Sequence, residues 1–251
     1  MNEHLAVVER LEGGVFIRMN RAEKRNAVND ALAAAVIRAL DDAEADPDVR
    51  VIVLTGMDNS FTAGQDMAEA TGRVERSSGG GGGSGGLSAR LGRVSKPVIG
   101  AINGFCMGGG TVTALQCDIR ICSDEATFRF PGAAYGLVVA ASLLPAAVGQ
   151  ARAKDLIFTG RTIDAAEALE MGLVNKVVPA ARLEEVTRDY VRMIAANSPL
   201  AVAGAKRVIN RASLHREAAG LEGEVNRELR QGVDHSERFS RATDRVVGPR
   251  A

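Results

Sequence analysis

Two short runs of consecutive apolar residues constrain the fold of this chain most. Residues 49–55 and residues 98–102 are each bounded by turn residues, which is typical of strands that are buried on both faces of a sheet. A third such strand is predicted at residues 119–122. A capped amphipathic helix at residues 30–45 precedes the first strand, and glycines 108–110 open another helix between the last two. Alternating strands and helices predict an α/β fold with a largely parallel sheet.

The second half of the chain is richer in helix. After a short helix near residue 165 and a strand at residues 173–178, a helix is predicted over residues 183–196. Three further helices are predicted at 199–210, 216–231 and 234–243. We therefore predict an α/β core with the ligand site over residues 1–195 and a helical region over residues 196–251.

Residues 77–86 read SSGGGGGSGG, a low-complexity segment. Such a segment cannot bury a core, and it predicts a flexible surface loop, with an engineered linker as an alternative. A phosphate-binding loop is disfavoured because no Lys-Ser/Thr pair follows and no strong strand precedes.

Charge and composition exclude several classes of protein. Lysine plus arginine and aspartate plus glutamate each total 31, and this balance argues against a nucleic-acid or anionic-membrane partner. No run approaches the roughly 18–20 apolar residues of a membrane span, and the first residues do not read as a signal peptide, so we expect a cytoplasmic protein. The three cysteines lack CxxC spacing and the three histidines lie far apart, so we expect neither a disulfide framework nor a metal site.

Two loops of small residues follow the predicted buried strands. Residues 60–66 come after the first strand, and the segment 96–110 contains the second strand and ends in three glycines. Open α/β sheets bind ligands at the carboxyl ends of their strands. Glycines at a helix start let peptide N–H groups approach a ligand at the positive end of the helix dipole, and two such groups can form an oxyanion hole. Either loop alone is better explained by tight strand–helix packing, which also favours glycine.

Together, the two loops resemble those of the crotonase (enoyl-CoA hydratase/isomerase) superfamily, in their order and in their spacing. The resemblance covers nearly the whole chain. Its further motifs lie at residues 20–27, 117–121, 158–161, 165–168, 172–175, 198–201 and 205–206. The resemblance implies a spiral core of ββα units, (ββα)n, with a helical C-terminal trimerisation region, and an assembly of three or six identical chains.

The resemblance also implies the substrate and the site. The expected ligand is an acyl-CoA thioester whose carbonyl oxygen is held by the N–H groups of Gln65 and Gly109. Because coenzyme A is part of that substrate, no separate cofactor is expected. Gln65 stands where the family usually has alanine. The remaining residues expected to line the substrate surface are Arg25, Ala27, Ala63, Gly64, Asp66 and Gly108.

The chain departs from the family at the positions that usually carry proton-transfer carboxylates. These positions hold Val112, Gly132 and Ala140, none of which can move a proton. One interpretation is that a different group takes this role, with Tyr135 as the first candidate. Further candidates for it are Ser142, Cys106, Asp66 and a bound water.

The missing carboxylates allow two more interpretations. The protein binds acyl-CoA without turning it over, or the alignment slips by a residue in this segment. The sequence therefore predicts an enoyl-CoA hydratase- or isomerase-like enzyme, with a non-catalytic acyl-CoA carrier or sensor as the alternative. A nucleotide-binding protein is disfavoured because the chain has neither a P-loop lysine nor a Gly-x-Gly-x-x-Gly fingerprint.

Overall fold

The computed structural model describes residues 5–69, 83–213 and 216–247. Its strands are β1 (Ala6–Leu11), β2 (Gly14–Met19), β3 (Val51–Gly56), β4 (Ser60–Thr62), β5 (Val98–Ile102), β6 (Phe105–Met107), β7 (Ile119–Ser123), β8 (Thr127–Arg129), β9 (Thr162–Asp164) and β10 (Lys176–Val178). The main sheet has the order β1-β2-β3-β5-β7-β10. Only the β1–β2 hairpin in it is antiparallel, which confirms the predicted largely parallel arrangement.

The helices of the described residues lie between and after these strands. They are α1 (Asp30–Ala45), α2 (Gly83–Leu91), α3 (Gly109–Leu115), α4 (Leu144–Val148), α5 (Gln150–Thr159), α6 (Ala165–Glu170), α7 (Leu183–Ala195), α8 (Pro199–Ser213), α9 (Arg216–Arg230) and α10 (Val233–Val247). The Asn29 side chain accepts the N–H of Leu32 and caps α1, as the sequence predicts.

The main sheet is buried on both faces. On β3, Ile52 and Leu54 join the larger core cluster, in which α1 also packs, whereas Val51 and Val53 join a second cluster with α7. Successive side chains of a strand point to opposite faces, so each face receives half of the apolar run. This double burial explains why the run is continuous rather than alternating.

A second, smaller sheet positions the candidate site. It consists of short strands in the order β4-β6-β8-β9, and β4, β6 and β8 each follow a strand of the main sheet within a few residues. The chain thus repeats a long strand, a short strand and a helix, which is the ββα unit that the resemblance implied. The sequence analysis missed these strands because three residues are too few to show a period.

Helix α2 corrects the prediction of a flexible loop over residues 77–86. Residues 77–82 lie outside the described part of the chain, but Gly83 to Gly86 form the first turn of α2. Leu87 and Leu91 of this helix are fully buried in the main core. These two leucines anchor the helix, and their burial outweighs the low helix propensity of its glycines.

The three C-terminal helices are confirmed, and side chains join them to the core. The Lys206 ammonium lies 2.7 Å from the Asp118 carboxylate. Asn226 exchanges two hydrogen bonds with the backbone of Val138, at 2.6 and 2.8 Å. Exposed apolar side chains remain on this region at Leu200, Val208, Ile209 and Val233. Among the described residues, no helix has both the length and the apolar character that a membrane crossing needs.

Candidate active site

Backbone hydrogen bonds join two loops that are distant in sequence, residues 25–28 and 63–66, into one wall of the candidate site. The Ala63 N–H donates to Arg25 O at 2.9 Å, and the Val28 N–H donates to Gly64 O at 2.7 Å. The Asp66 N–H donates a hydrogen bond to Val28 O at 3.1 Å. Residues 25–28 and 63–66 therefore run side by side, and the structure joins the site residues that the resemblance named in these two segments.

Asn26 organises this wall, although the sequence analysis assigned it no role. The residue is fully buried and has a φ of 53°. Its Nδ2 donates to Ser60 O at 2.7 Å and to Met57 O at 3.0 Å, while its Oδ1 accepts the Arg21 N–H at 2.9 Å. One side chain thus fixes the loop that leads from β3 into β4.

The peptide N–H groups of Gln65 and Gly109 lie close together. A Cβ on Gly109 would sit 3.3 Å from Gln65 N, and a Cβ on Gly64, whose φ is 87°, would sit 2.6 Å from Gly109 N. This close approach requires glycine at position 64, whereas a Cβ on Gly109 would press mainly on the Ser84 side chain, 2.5 Å from its hydroxyl oxygen.

Neither of these N–H groups donates a hydrogen bond to another residue within the described ranges. Gly109 is the first residue of α3, following Gly108 as its N-cap, so its N–H has no acceptor inside the helix. Two neighbouring donors at a helix start can stabilise one anionic oxygen.

The Gln65 side chain forms a feature that only the structure reveals. Its Oε1 accepts hydrogen bonds from the backbone N–H and the hydroxyl of Ser84, both at 3.0 Å. Its Nε2 is buried and has no hydrogen-bond partner among the described residues. Helix α2 is thereby tied to the loop that carries one of the two peptide donors.

Asp66 is held as an anion by its neighbours. Burial alone would raise the pKa of this carboxyl, but hydrogen bonds from Arg21, Glu69 and Ala68 outweigh that effect and hold the pKa below its usual range. Arg21 Nη1 lies 2.6 Å from Asp66 Oδ2 and also donates to Ala27 O at 2.9 Å. An ionised, fully engaged carboxylate is a poor proton carrier at neutral pH. The structure thus identifies Arg21 as a support of the site that the sequence analysis missed.

Arg25 is the exposed cation of this wall. Its φ is 49°, and its guanidinium lies 5.0 Å from the centre of the Phe105 ring, within the range of a cation–π contact. The stacking directs Arg25 toward β6, the strand that leads into the glycine helix.

The three positions without carboxylates hold buried or partly buried residues without a titratable side chain. Val112 packs against the main core, Gly132 is buried, and Ala140 is buried with a φ of 66°. A Cβ on Gly132 would lie 2.9 Å from Val139 Cβ. The Tyr135 N–H donates to Gly132 O at 2.9 Å, and the Tyr135 carbonyl oxygen accepts a hydrogen bond from His235 Nδ1 at 2.8 Å. No contact of the Tyr135 hydroxyl within the described ranges supports the predicted proton-transfer role.

The cysteines behave as small buried apolar residues. Burial raises the pKa of the Cys106 thiol well above its ordinary value and raises the pKa of Cys117 and Cys122 to about 12. A neutral thiol is a weak nucleophile and a poor metal ligand. No group of three or more His, Cys, Asp or Glu side chains in the described ranges could hold a metal ion.

The fold and this site define a crotonase-type protein, and comparison with known proteins agrees. The chain matches the enoyl-CoA hydratase/isomerase family over residues 9–240 and belongs to that family. It is 35% identical over 210 residues to the hydroxycinnamoyl-CoA hydratase-lyase of Pseudomonas fluorescens, covering 79% of this chain and 75% of that protein. It is 37% identical over 214 residues to the short-chain-enoyl-CoA hydratase of Clostridium acetobutylicum, covering 82% and 81%.

A solved structure extends this agreement to the whole fold. The enoyl-CoA hydratase/isomerase from Pseudoalteromonas atlantica T6c superimposes with a TM-score of 0.86 at 29% identity, covering 96% of this chain and 97% of that one. The predicted superfamily and fold class are therefore confirmed.

Proposed function

We propose that this protein is an acyl-CoA-acting enzyme of the enoyl-CoA hydratase/isomerase type. The observation that carries the proposal is the pair of neighbouring N–H groups, on Gln65 and Gly109, that have no acceptor within the described chain. The relatives from Pseudomonas fluorescens and Clostridium acetobutylicum act, by their names, on hydroxycinnamoyl-CoA and on short-chain enoyl-CoA thioesters. The residues that line the substrate are Arg25, Ala27, Ala63, Gly64, Asp66 and Gly108.

In this mechanism the thioester carbonyl oxygen accepts both peptide N–H groups. Negative charge develops on that oxygen as an enolate forms, and the two donors and the α3 dipole stabilise it. Removal of one such donor typically slows the reaction by about 10²- to 10³-fold. Coenzyme A arrives as part of the substrate.

Gly109→Pro tests the proposal, with Gly109→Ala as its matched control. Both variants place a Cβ where it meets the Ser84 hydroxyl at 2.5 Å, but only proline removes the N–H. Proline is also tolerated at the first residue of a helix. We expect Gly109→Pro to lose several-fold of the binding preference for butyryl-CoA over free coenzyme A relative to Gly109→Ala. Equal preferences in the two folded variants would contradict the assigned donor.

A second candidate function is an acyl-CoA carrier or sensor that does not turn its ligand over. Val112, Gly132 and Ala140 favour it, because none of them can transfer a proton. A panel of saturated and 2-enoyl-CoA thioesters, followed by mass spectrometry for both binding and product, separates the two functions. Binding without product supports the carrier.

We also propose that the chain forms a homotrimer or a hexamer. The exposed apolar side chains of α8 and α10, among them Leu200, Val208 and Val233, support this assembly. Light scattering that showed a stable monomer at micromolar concentration would contradict it.

A further inference from the structure

A threonine hydroxyl is bonded to the peptide group that supplies one of the two N–H donors of the candidate site. The Gly109 N–H belongs to the same peptide group as the Gly108 carbonyl. Thr111 is buried, and its hydroxyl donates to Gly108 O at 2.7 Å. A carbonyl oxygen can only accept, so the direction of this hydrogen bond is fixed. The hydroxyl therefore acts on the planar group that carries the Gly109 N–H.

The Gly108 carbonyl receives more donors than the start of a helix requires. The backbone N–H groups of Thr111 and Val112 also approach Gly108 O, at 3.1 and 3.4 Å. The carbonyl of an N-cap residue ordinarily accepts from the helix backbone, and here the hydroxyl adds the shortest of three contacts. Gly108 has a φ of 55° and a ψ of −120°, a conformation that glycine tolerates. The hydroxyl thus helps to fix the tilt of a peptide group that glycine alone would leave mobile.

A hydrogen bond to a peptide oxygen also strengthens the N–H of the same peptide group. The nitrogen shares electrons with the carbonyl, so a proton held at the oxygen draws electrons away from the N–H. Hydrogen bonds in such chains polarise one another, by about 10–30% per bond. The second donor has a similar arrangement, because the Gln65 N–H shares its peptide group with Gly64 O, which accepts the Val28 N–H at 2.7 Å. Of these two polarising contacts, only the one from Thr111 comes from a side chain.

We propose that Thr111 is a positioning residue of this site, whose hydroxyl orients and polarises the 108–109 peptide group so that the Gly109 N–H binds the thioester oxygen more strongly. This inference rests on the proposed acyl-CoA function, and it adds a side chain to a pair of donors that is otherwise built from backbone. A hydroxyl that only stabilised the helix would change the free energy of unfolding and would leave the bound thioester carbonyl unaffected.

Thr113 provides the matched control within the same helix. Its hydroxyl is buried and donates to Gly109 O at 3.0 Å, and it also pairs with the Ser88 hydroxyl at 3.1 Å. Gly109 O shares its peptide group with the Gly110 N–H, which is not one of the two donors. Valine at either threonine removes one buried hydroxyl and nearly keeps the side-chain shape. Only Thr111→Val releases the peptide group of the Gly109 N–H.

The test observes the thioester carbonyl directly. Butyryl-CoA labelled with ¹³C at the thioester carbon is bound to each protein, and its carbonyl stretch is recorded by infrared difference spectroscopy. We expect binding to the wild-type protein to lower the stretching frequency, because hydrogen bonds to the oxygen weaken the C=O bond. Thr111→Val is expected to lose about 10–30% of this lowering and about two- to threefold of the binding preference for butyryl-CoA over free coenzyme A. Thr111→Ser, which restores the hydroxyl, is expected to recover both, and Thr113→Val to keep the wild-type values.

The possible failures are distinguishable. An unchanged frequency in Thr111→Val, or an equal loss in Thr113→Val, overturns the role of Thr111. Thr111→Ala also lacks the hydroxyl and has a higher helix propensity, so it carries the same test if Thr111→Val does not fold. If butyryl-CoA binds the wild-type protein no better than free coenzyme A and its carbonyl frequency does not move, the proposed acyl-CoA function itself fails.

Discussion

Replacing Asn26 with alanine tests how the candidate site is held together. The side chain is fully buried and makes three hydrogen bonds, to the backbone of Arg21, Met57 and Ser60. The substitution removes all three and leaves one buried N–H and two carbonyl groups without these partners. The loop that leads from β3 into β4 loses the two hydrogen bonds that the Asn26 side chain donates to it.

The expected loss follows from these contacts. Each hydrogen bond contributes about 1 kcal/mol net, so three contribute about 3 kcal/mol. The φ of 53° adds to this, because alanine adopts the left-handed conformation less readily than asparagine, at a cost of about 1 kcal/mol. Together these effects lower the free energy of unfolding by about 4 kcal/mol, a large share of the roughly 5–15 kcal/mol typical of a domain.

Urea denaturation followed by circular dichroism measures this loss, at one fixed protein concentration because the proposed assembly would also contribute to stability. Asn26→Gly loses the same hydrogen bonds but tolerates the positive φ, so it should be about 1 kcal/mol more stable than Asn26→Ala. Asn197→Ala is the control: that side chain is exposed and makes one bond, to Met193 O, so its effect should stay within about 0.5 kcal/mol. The reasoning is refuted if Asn26→Ala lies within about 1 kcal/mol of the wild-type protein.

Three further outcomes are expected. Asp66→Asn should lower the free energy of unfolding by about 2 kcal/mol at pH 7. The folded-state pKa of Asp66 lies below its ordinary value of 3.8, so this contribution is present above that value and disappears as the pH falls through the folded-state pKa. A difference in free energy of unfolding between wild type and variant that stayed constant in acid would contradict this. The three buried cysteines should react with Ellman's reagent only after unfolding, and a fast-reacting thiol in the native protein would contradict their burial. Wild-type protein should hydrate crotonyl-CoA at well under about 10 s⁻¹, since Val112 and Gly132 supply neither acid nor base, and a rate above that would place the proton-transfer group elsewhere.

Much of the fold could be predicted because its signals are local. Helix α1 begins and ends where its apolar spacing and the Asn29 cap place it. The strands of the main sheet coincide with the apolar runs within a few residues. Because both faces of the sheet are buried, the apolar pattern of each strand is continuous, and it can be recognised without knowing the partner strands.

The second sheet and helix α2 could not be predicted in the same way. Strands β4, β6 and β8 are three residues long and owe their structure to pairing with one another. Helix α2 begins in a glycine run, which has low intrinsic helix propensity. Leu87 and Leu91 determine its position, and these side chains become buried only when the whole core has folded.

The candidate site likewise has features that follow from local sequence and features that depend on contacts between distant residues. Glycine at positions 64 and 109 could be recognised from motif spacing, because the requirement there is for backbone without a side chain. The support of that backbone depends on contacts across long sequence separations, such as Asn26 with Ser60 and Gln65 with Ser84. No local pattern encodes such contacts, so the roles of Asn26 and Ser84 emerge only from the structure.

The geometry around Gly132 opposes the introduction of a carboxylate at that position. A Cβ there would lie 2.9 Å from Val139 Cβ and 3.0 Å from Leu137 O, so a glutamate requires both neighbours to move. Overpacking of this kind costs about 1–3 kcal/mol. Val112 is only partly buried and packs against the main core. An acid at position 132 therefore requires the segment at residues 137–139 to shift, as well as a change of residue type.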